Sequence, residues 1–283
     1  MPELPEVEVL ARHLRPLIRN QTIRGVVVRR AKVLAPTTVR GLKRALLGAR
    51  FTSLARRGKY LLFGIRRRRG DAPVTLLGHL GMTGRIHLAR QFEPLPKHAA
   101  VVLDLGRDNF IFEDTRYFGR FTLDTAPLAR LGPEPFDAAF TAAYLAGALA
   151  RSAQPIKVRL LDQALVAGIG NIYASEILFR VCISPKLSAR KLTLAQVRRL
   201  RLAIRRVLAE AIDCGSTVPL NFGGHGRRDG LFYFGRAPAT LDYYTERLRV
   251  YDRAGRPCPR CGAPIKRIVQ AARSTFYCPD CQR

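Results

Sequence analysis

The chain has 283 residues, 47% of them hydrophobic, so it can bury a substantial core and is long enough for two or more domains. Its formal net charge is +28, from 49 Lys and Arg against 21 Asp and Glu, which makes a polyanion the expected partner: nucleic acid first, an anionic membrane surface second. No apolar run approaches bilayer-spanning length and residues 1–20 lack the layout of a signal peptide, so a cytosolic protein is expected and a disordered basic tail is excluded.

The chain opens MPELPEVEVL, which has two readings. Removal of Met1 would leave Pro2 with a free secondary amine beside the Glu3 carboxylate, a possible reactive pair. Equally, Pro5 and Glu6 fit the first turn of a helix, where proline loses no hydrogen bond and acid complements the dipole. Val7, Leu10, Leu14 and Leu17 recur at helical spacing. Short apolar runs follow at 26–28, 59–65, 74–80, 84–88, 100–105 and 109–112, divided by Gly, Pro and charged turns, and they predict a sandwich or barrel. Lys59 precedes one of these strands, either as an edge residue or as a site group. Arg66–Arg69 with Gly70 and Asp71 reads as a solvated hairpin tip.

LGPEPFD (131–137) marks a boundary, after which the patterning turns helical. Helical stretches are expected at 138–151, 155–167 and 171–182, the last two interrupted by Gly168-Ile169-Gly170-Asn171. Free N–H groups at that helix start suit an anion such as phosphate, although asparagine also serves as a helix cap without any ligand. A longer helix starts at Thr193, whose pairing with Gln196 has capping-box spacing, and Gly215 supplies its stop. Residues 215–247, rich in glycine and aromatics, read as long loops.

Four of the six cysteines form two C-x2-C pairs, Cys258/Cys261 and Cys278/Cys281, the pattern of one tetrahedral zinc. The pairs lie in a cationic segment, Arg249–Arg283, with eight Arg or Lys against two Asp and so little apolar content that the metal must do most of the folding. A metal-stapled hairpin of this charge suits a DNA backbone; a zinc ribbon that only holds domains together is the alternative. Cys182 and Cys214 stand alone in apolar contexts and are expected to be buried.

Taken together, PELPEVE, RGKYLL, DQALVAGIGNIYASEILF and the terminal C-x2-C…TFYCPDC resemble the formamidopyrimidine-DNA glycosylase family, related to endonuclease VIII, from one end of the chain to the other. The resemblance implies an α+β multidomain fold: an N-terminal β-sandwich (1–131), a helix–two-turns–helix domain with a lesion-capping loop (132–240) and a C-terminal zinc β-hairpin (249–283), with DNA between the two halves. It implies a bifunctional glycosylase and AP lyase that excises oxidised purines such as 8-oxoguanine and formamidopyrimidines and nicks the abasic strand. In that scheme Pro2 is the nucleophile, Glu3 the acid at the opening sugar, Lys59 the β-elimination and phosphate residue, and Arg273 the δ-elimination and phosphate residue. Met82, Arg116 and Phe118 would fill the void left by a flipped nucleotide, and His98, Lys157 and Asn171 would contact DNA. Cys258, Cys261, Cys278 and Cys281 would hold one structural Zn2+. The partner would be double-stranded DNA with oxidised bases or abasic sites, met by a cytoplasmic, nucleoid-associated monomer with no membrane contact. Two alternatives stand: an endonuclease VIII-like preference for oxidised pyrimidines, and a non-catalytic zinc-containing damaged-DNA binder. The family continues beyond the long helix with TLRDF-like and DG-x-PGYF stretches, whereas here it reads STVPLNFGGHGRRDGLFYFGR, which leaves the lesion range open.

Overall fold

The computed structural model describes residues 2–67, 71–215 and 248–283, and the backbone at 220–221 and 233–234. The chain divides into two compact units. The first holds Pro2, Glu6–Ala129 and the short strand pair at 220–221 and 233–234; the second holds Glu3–Pro5, the residues from Arg130 to 215, and 248–283.

Helix α1 (Leu4–Ile18), which belongs to the first unit from Glu6 onward, begins where the Pro5/Glu6 signature places it. Its apolar face, Val7, Leu10, Ala11, Leu14 and Ile18, is fully buried. All six apolar runs read from the sequence are strands, and with two more they form two four-stranded antiparallel sheets. Strands β1 (Gly25–Val28), β6 (Ala99–Asp104), β7 (Asp108–Asp114) and β5 (Gly84–Arg90) make one sheet in that order; β2 (Arg50–Arg57), β3 (Tyr60–Arg66), β4 (Val74–His79) and β8 (Arg120–Thr122) make the other. The sheets pack through a phenylalanine cluster, with Phe63 edge-on to Phe110 at 5.5 Å and Phe112 stacked on Phe121 at 5.5 Å. Burying five such rings in one layer supplies much of the driving force, at about 2–3 kcal/mol each. A helix the apolar periodicity missed, α2 (Val39–Leu46), lies between β1 and β2; only Leu42 and Leu46 are buried, and Thr38 caps it through the Gly41 N–H at 3.0 Å.

The second unit carries α3 (Ala142–Ala150), α4 (Ile156–Leu160), α5 (Asn171–Arg180) and α6 (Leu194–Asp213). The expected capping box at Thr193 is present, with reciprocal bonds of 2.9 and 3.2 Å to Gln196. The helical stretch expected at 155–167 stops at Leu160. There the Gln163 side chain binds Leu161 O, Ile169 O and the Gly168 N–H, and Asp162 takes the Ala164 N–H, giving the backbone partners that compete with a helix. The strand pair β9 (Leu220–Asn221) and β10 (Tyr233–Phe234) is antiparallel; otherwise the loops read from residues 215–247 lie, but for Gly215, outside the described residues. The C-terminal hairpin pairs β11 (Lys266–Gln270) with β12 (Arg273–Tyr277). Its two-residue turn puts Ala271 and Ala272 at φ 46° and 58°, the left-handed pair a tight hairpin requires, on residues that adopt it at a cost. No described helix is long and apolar enough to cross a membrane.

Candidate functional site

In the first unit, Lys59 occupies the two-residue turn between β2 and β3, after Gly58 at φ 56°, and is only 8% exposed. Arg56 steadies that turn by binding Gly58 O at 3.1 Å. Beside it stands His79, at the end of β4, which the sequence reading passes over although it opens HLGMTG. Burial, then the charges of Lys59 and Arg120, pushes its pKa down to about 4. The neutral ring accepts the Gly81 N–H at Nδ1.

Two loops of this unit bring the three expected wedge residues together. Arg116 places its guanidinium 4.8 Å from the Phe118 ring centre and 3.5 Å from the Met82 sulfur. Met82 is 45% and Phe118 49% exposed, so the three side chains present an apolar and cationic cluster to solvent. The loops touch backbone to backbone: a Cβ on Gly81, itself at φ 59°, would stand 2.7 Å from Gly119 N. Asp114, fully buried, organises the cluster, a role the sequence does not reveal. Its carboxylate accepts Thr83 Oγ1 at 2.6 Å, the Arg116 N–H at 3.1 Å and the Gly119 N–H at 2.7 Å. His98 lies alongside, its ring 6.5 Å from Tyr117 and its carbonyl accepting the Asp114 N–H.

In the second unit, the helix start at Gly168–Asn171 does hold an anion, and that anion is Glu3. The Glu3 carboxylate accepts the N–H groups of Gly170 at 2.6 Å, Ile172 at 2.9 Å and Tyr173 at 3.5 Å, at the positive end of α5. It is 1% exposed. Gly170 admits it, since any Cβ there would overlap the carboxyl group. Three amide donors complement its negative charge directly after the Pro2 nitrogen in sequence.

Lys157 departs from the expectation of a DNA-facing side chain. It is 0% exposed, and its ammonium donates to Asn171 Oδ1 at 2.6 Å, Thr275 Oγ1 at 2.7 Å and Ser274 O at 2.9 Å. Burial chiefly, against the Glu3 charge and with help from Arg273, lowers its pKa to about 8. Asn171 also donates from Nδ2 to Ser274 O at 2.9 Å. Lys157 and Asn171 therefore tie the turn before α5 to strand β12, whose first residue is the exposed Arg273. Glu176 provides a second tie that the sequence hides: buried on α5, it accepts the N–H groups of Arg249, Val250 and Tyr251 at 2.8–3.0 Å. Burial raises its pKa despite those donors.

The sulfurs of Cys258, Cys261, Cys278 and Cys281 lie within 4.8 Å of one another. Cys258–Cys281 and Cys261–Cys278 are 3.9 and 3.5 Å apart, against the edge of about 3.8 Å that Zn–S bonds of about 2.3 Å impose on a tetrahedron. The N–H groups of Arg260 and Cys281 point at the Cys258 and Cys278 sulfurs, so the donor set fits one structural zinc. Cys182, expected to be buried, is exposed, at positive φ, with the Arg260 guanidinium against its sulfur; Cys214 is half-buried. Both fall at helix ends, α5 and α6, and at Cys182 the positive φ turns the side chain outward between buried Val181 and Ile183.

A β-sandwich with an exposed apolar-cationic cluster, joined in one chain to a helical unit bearing a four-cysteine zinc hairpin, defines a zinc-finger protein of the DNA-processing class. The comparisons agree: residues 1–121 match the formamidopyrimidine-DNA glycosylase N-terminal domain, 131–220 its H2TH domain, and 255–283 the zinc finger found in FPG and IleRS. The chain is 43% identical over 289 residues to a formamidopyrimidine-DNA glycosylase of Thermus thermophilus, covering 100% of this chain and 98% of that one. It is 41% identical to one from Thiobacillus denitrificans, with 100% of both covered. The Lactococcus lactis Fpg bound to DNA containing an abasic site matches with a TM-score of 0.86 and 32% identity, covering 99% of each chain. The chain belongs to the formamidopyrimidine-DNA glycosylase family.

Proposed function

We propose that the protein is a DNA glycosylase and abasic-site lyase of base excision repair, acting on double-stranded DNA that carries oxidised purines or abasic sites. Its domains are read as 1–131, 132–240 and 249–283, and it acts as a cytoplasmic monomer. The observation that carries the reading is the Glu3 carboxylate held by the amides of Gly170, Ile172 and Tyr173, one residue from the Pro2 nitrogen.

With Met1 removed, Pro2 presents an α-amine whose unperturbed pKa, about 7.7–8.0, leaves a useful neutral fraction near neutrality. That nitrogen attacks C1′, the bond to the base breaks with its electron pair going to the base, and the departing base takes a proton from water. Glu3 takes up the proton the amine loses and delivers it to the ring oxygen as the sugar opens. Because the amine is secondary, the product is an iminium, a fixed cation that draws electrons from the neighbouring carbon. Loss of a C2′ proton expels the 3′ phosphate, and loss of a C4′ proton then expels the 5′ phosphate. Lys59 serves the first elimination and Arg273 the second, each also binding phosphate. Hydrolysis of the iminium frees Pro2.

Met82, Arg116 and Phe118 fill the space vacated by the flipped nucleotide, His98 and Asn171 approach the phosphates, and Lys157 holds Asn171 and β12 in place. The four cysteines would hold zinc, whose role is to fold the hairpin that presents Arg273. Solved relatives from Lactococcus lactis are described with Fapy-dG DNA and with oxidised-pyrimidine DNA, which supports formamidopyrimidines as substrates and keeps a wider lesion range in view. Comparing single-turnover cleavage of 8-oxoguanine opposite cytosine with that of thymine glycol tests the assignment. Faster cleavage of 8-oxoguanine is expected; the reverse order would make the protein endonuclease VIII-like.

A further inference from the structure

Helix α2 has no part in the chemistry above, yet it carries a concentrated set of exposed cations. Arg40, Lys43, Arg44 and Leu47 recur at i, i+3, i+4 and i+7, so they share the face turned away from buried Leu42 and Leu46. With Val39 and Arg67, which follows β3, they line a groove of about 620 Å³ with no acidic residue in its wall among the described residues. Leu47 is 49% exposed within it. Among the described residues none of these four cations has an ion pair, whereas Arg12, Arg56 and Arg90 of the same unit are each matched with a carboxylate.

The groove is remote from the wedge. Strand β4 runs from the Arg67 end of the sandwich at Val74 to His79, and its length separates that end from the Met82 loop by about 17 Å. A cationic rim asks for an anion, and the floor decides which kind. Phosphates of a duplex have no use for half-buried Val39 and exposed Leu47, and a single strand would need aromatic platforms, of which the groove has none among the described residues. An apolar side chain flanked by carboxylates meets both requirements.

We propose that the α2 groove docks an acidic peptide segment of a partner protein, with one large apolar residue seated on Val39 and Leu47 and its carboxylates on Arg40, Lys43, Arg44 and Arg67. The peptide binds while the wedge face remains available to DNA.

The net charge of the whole chain attracts any polyanion, so the experiment must separate docking from bulk attraction. A fluorescent Asp/Glu-rich peptide with a central Phe, and its twin with Ser in that place, are titrated with the full zinc-loaded protein at about 0.15 M salt. The Phe peptide is expected to bind about tenfold more tightly than the Ser peptide. Arg40→Glu with Arg44→Glu is expected to weaken it about tenfold, while the equal charge change Arg198→Glu with Arg199→Glu on α6 does so less than about twofold. The single exposed change Leu47→Ser, which leaves the buried leucines untouched, is expected to erase the preference for Phe. Nicking of an abasic duplex stays unchanged in all three groove substitutions. Equal binding of the two peptides, equal loss from the two charge reversals, or a parallel loss of nicking and displacement by undamaged duplex would each overturn the proposal.

Discussion

The Lys157 ammonium lies 2.6 Å from Asn171 Oδ1, and the same nitrogen reaches Ser274 O and Thr275 Oγ1. One buried cation thus joins the α5 turn, which holds Glu3, to the strand that begins with Arg273. Replacing Lys157 with Met leaves Asn171 Oδ1 and Thr275 Oγ1 without this donor and is expected to lower stability by about 2 kcal/mol, read from urea unfolding. Nicking of abasic DNA should fall with it, since Arg273 loses its support.

The same residue predicts a pH dependence. Its pKa is about 8 in the fold against 10.5 as the ordinary value, so between these limits the unfolded chain binds more protons and stability rises with pH. Below about pH 8 the charged amine is buried at full cost. The difference in unfolding free energy between the wild type and Lys157→Met should therefore change across pH 8 to 10.5 in favour of the wild type. A flat difference would show that the amine does not titrate there.

Asp114 should control base extrusion rather than chemistry. Asp114→Ala removes the acceptor for Thr83, Arg116 and Gly119 in a fully buried position, at a cost of about 3 kcal/mol. With the Met82 and Phe118 loops loosened, excision of a paired lesion should slow more than nicking of a preformed abasic site. Parallel assays of the two substrates check the ratio.

Glu3→Gln keeps the size of the side chain but places an NH2 against donor N–H groups at the α5 start. Base excision should fall by about 10²–10⁴, the range of general acid-base contributions. Gly170→Ala should produce a similar loss without altering any reacting group, because its Cβ would displace the Glu3 carboxyl. Single-turnover kinetics on 8-oxoguanine duplex would read both.

Zinc should be stoichiometric by elemental analysis, and its removal by a chelator should unfold the β11–β12 hairpin. The apolar cluster around it, with Val250, Ile265 and Phe276, is small, so the metal contributes most of the folding free energy. Cys261→Ala should reproduce the chelated state and lose affinity for DNA.

Much of this is legible in the sequence for physical reasons. The sandwich strands show as short apolar runs between turn residues, alternating in β3 and continuously buried through most of β6, α6 carries its own caps, and metal-ligand spacing survives any context. Helix α2 escapes because a glycine and the exposed Arg40, Lys43 and Arg44 leave only Leu42 and Leu46 to show a period. Strand β2 escapes because Arg50, Arg56 and Arg57 and a bulge between Phe51 and Ser53 obscure its alternation. Site chemistry is legible as residue type but not as pairing: that Glu3 occupies the α5 amides, that Lys157 is consumed internally, and that Asp114 binds two loops depend on contacts across 167, 118 and 31 residues.

The most direct test is borohydride reduction of the protein mixed with abasic-site DNA, followed by peptide mapping of the covalent complex. The adduct should lie on a peptide that begins at Pro2, with Met1 absent. An adduct on Lys59, Lys157 or any other lysine, or undiminished trapping by a protein that retains Met1, would contradict the proline mechanism.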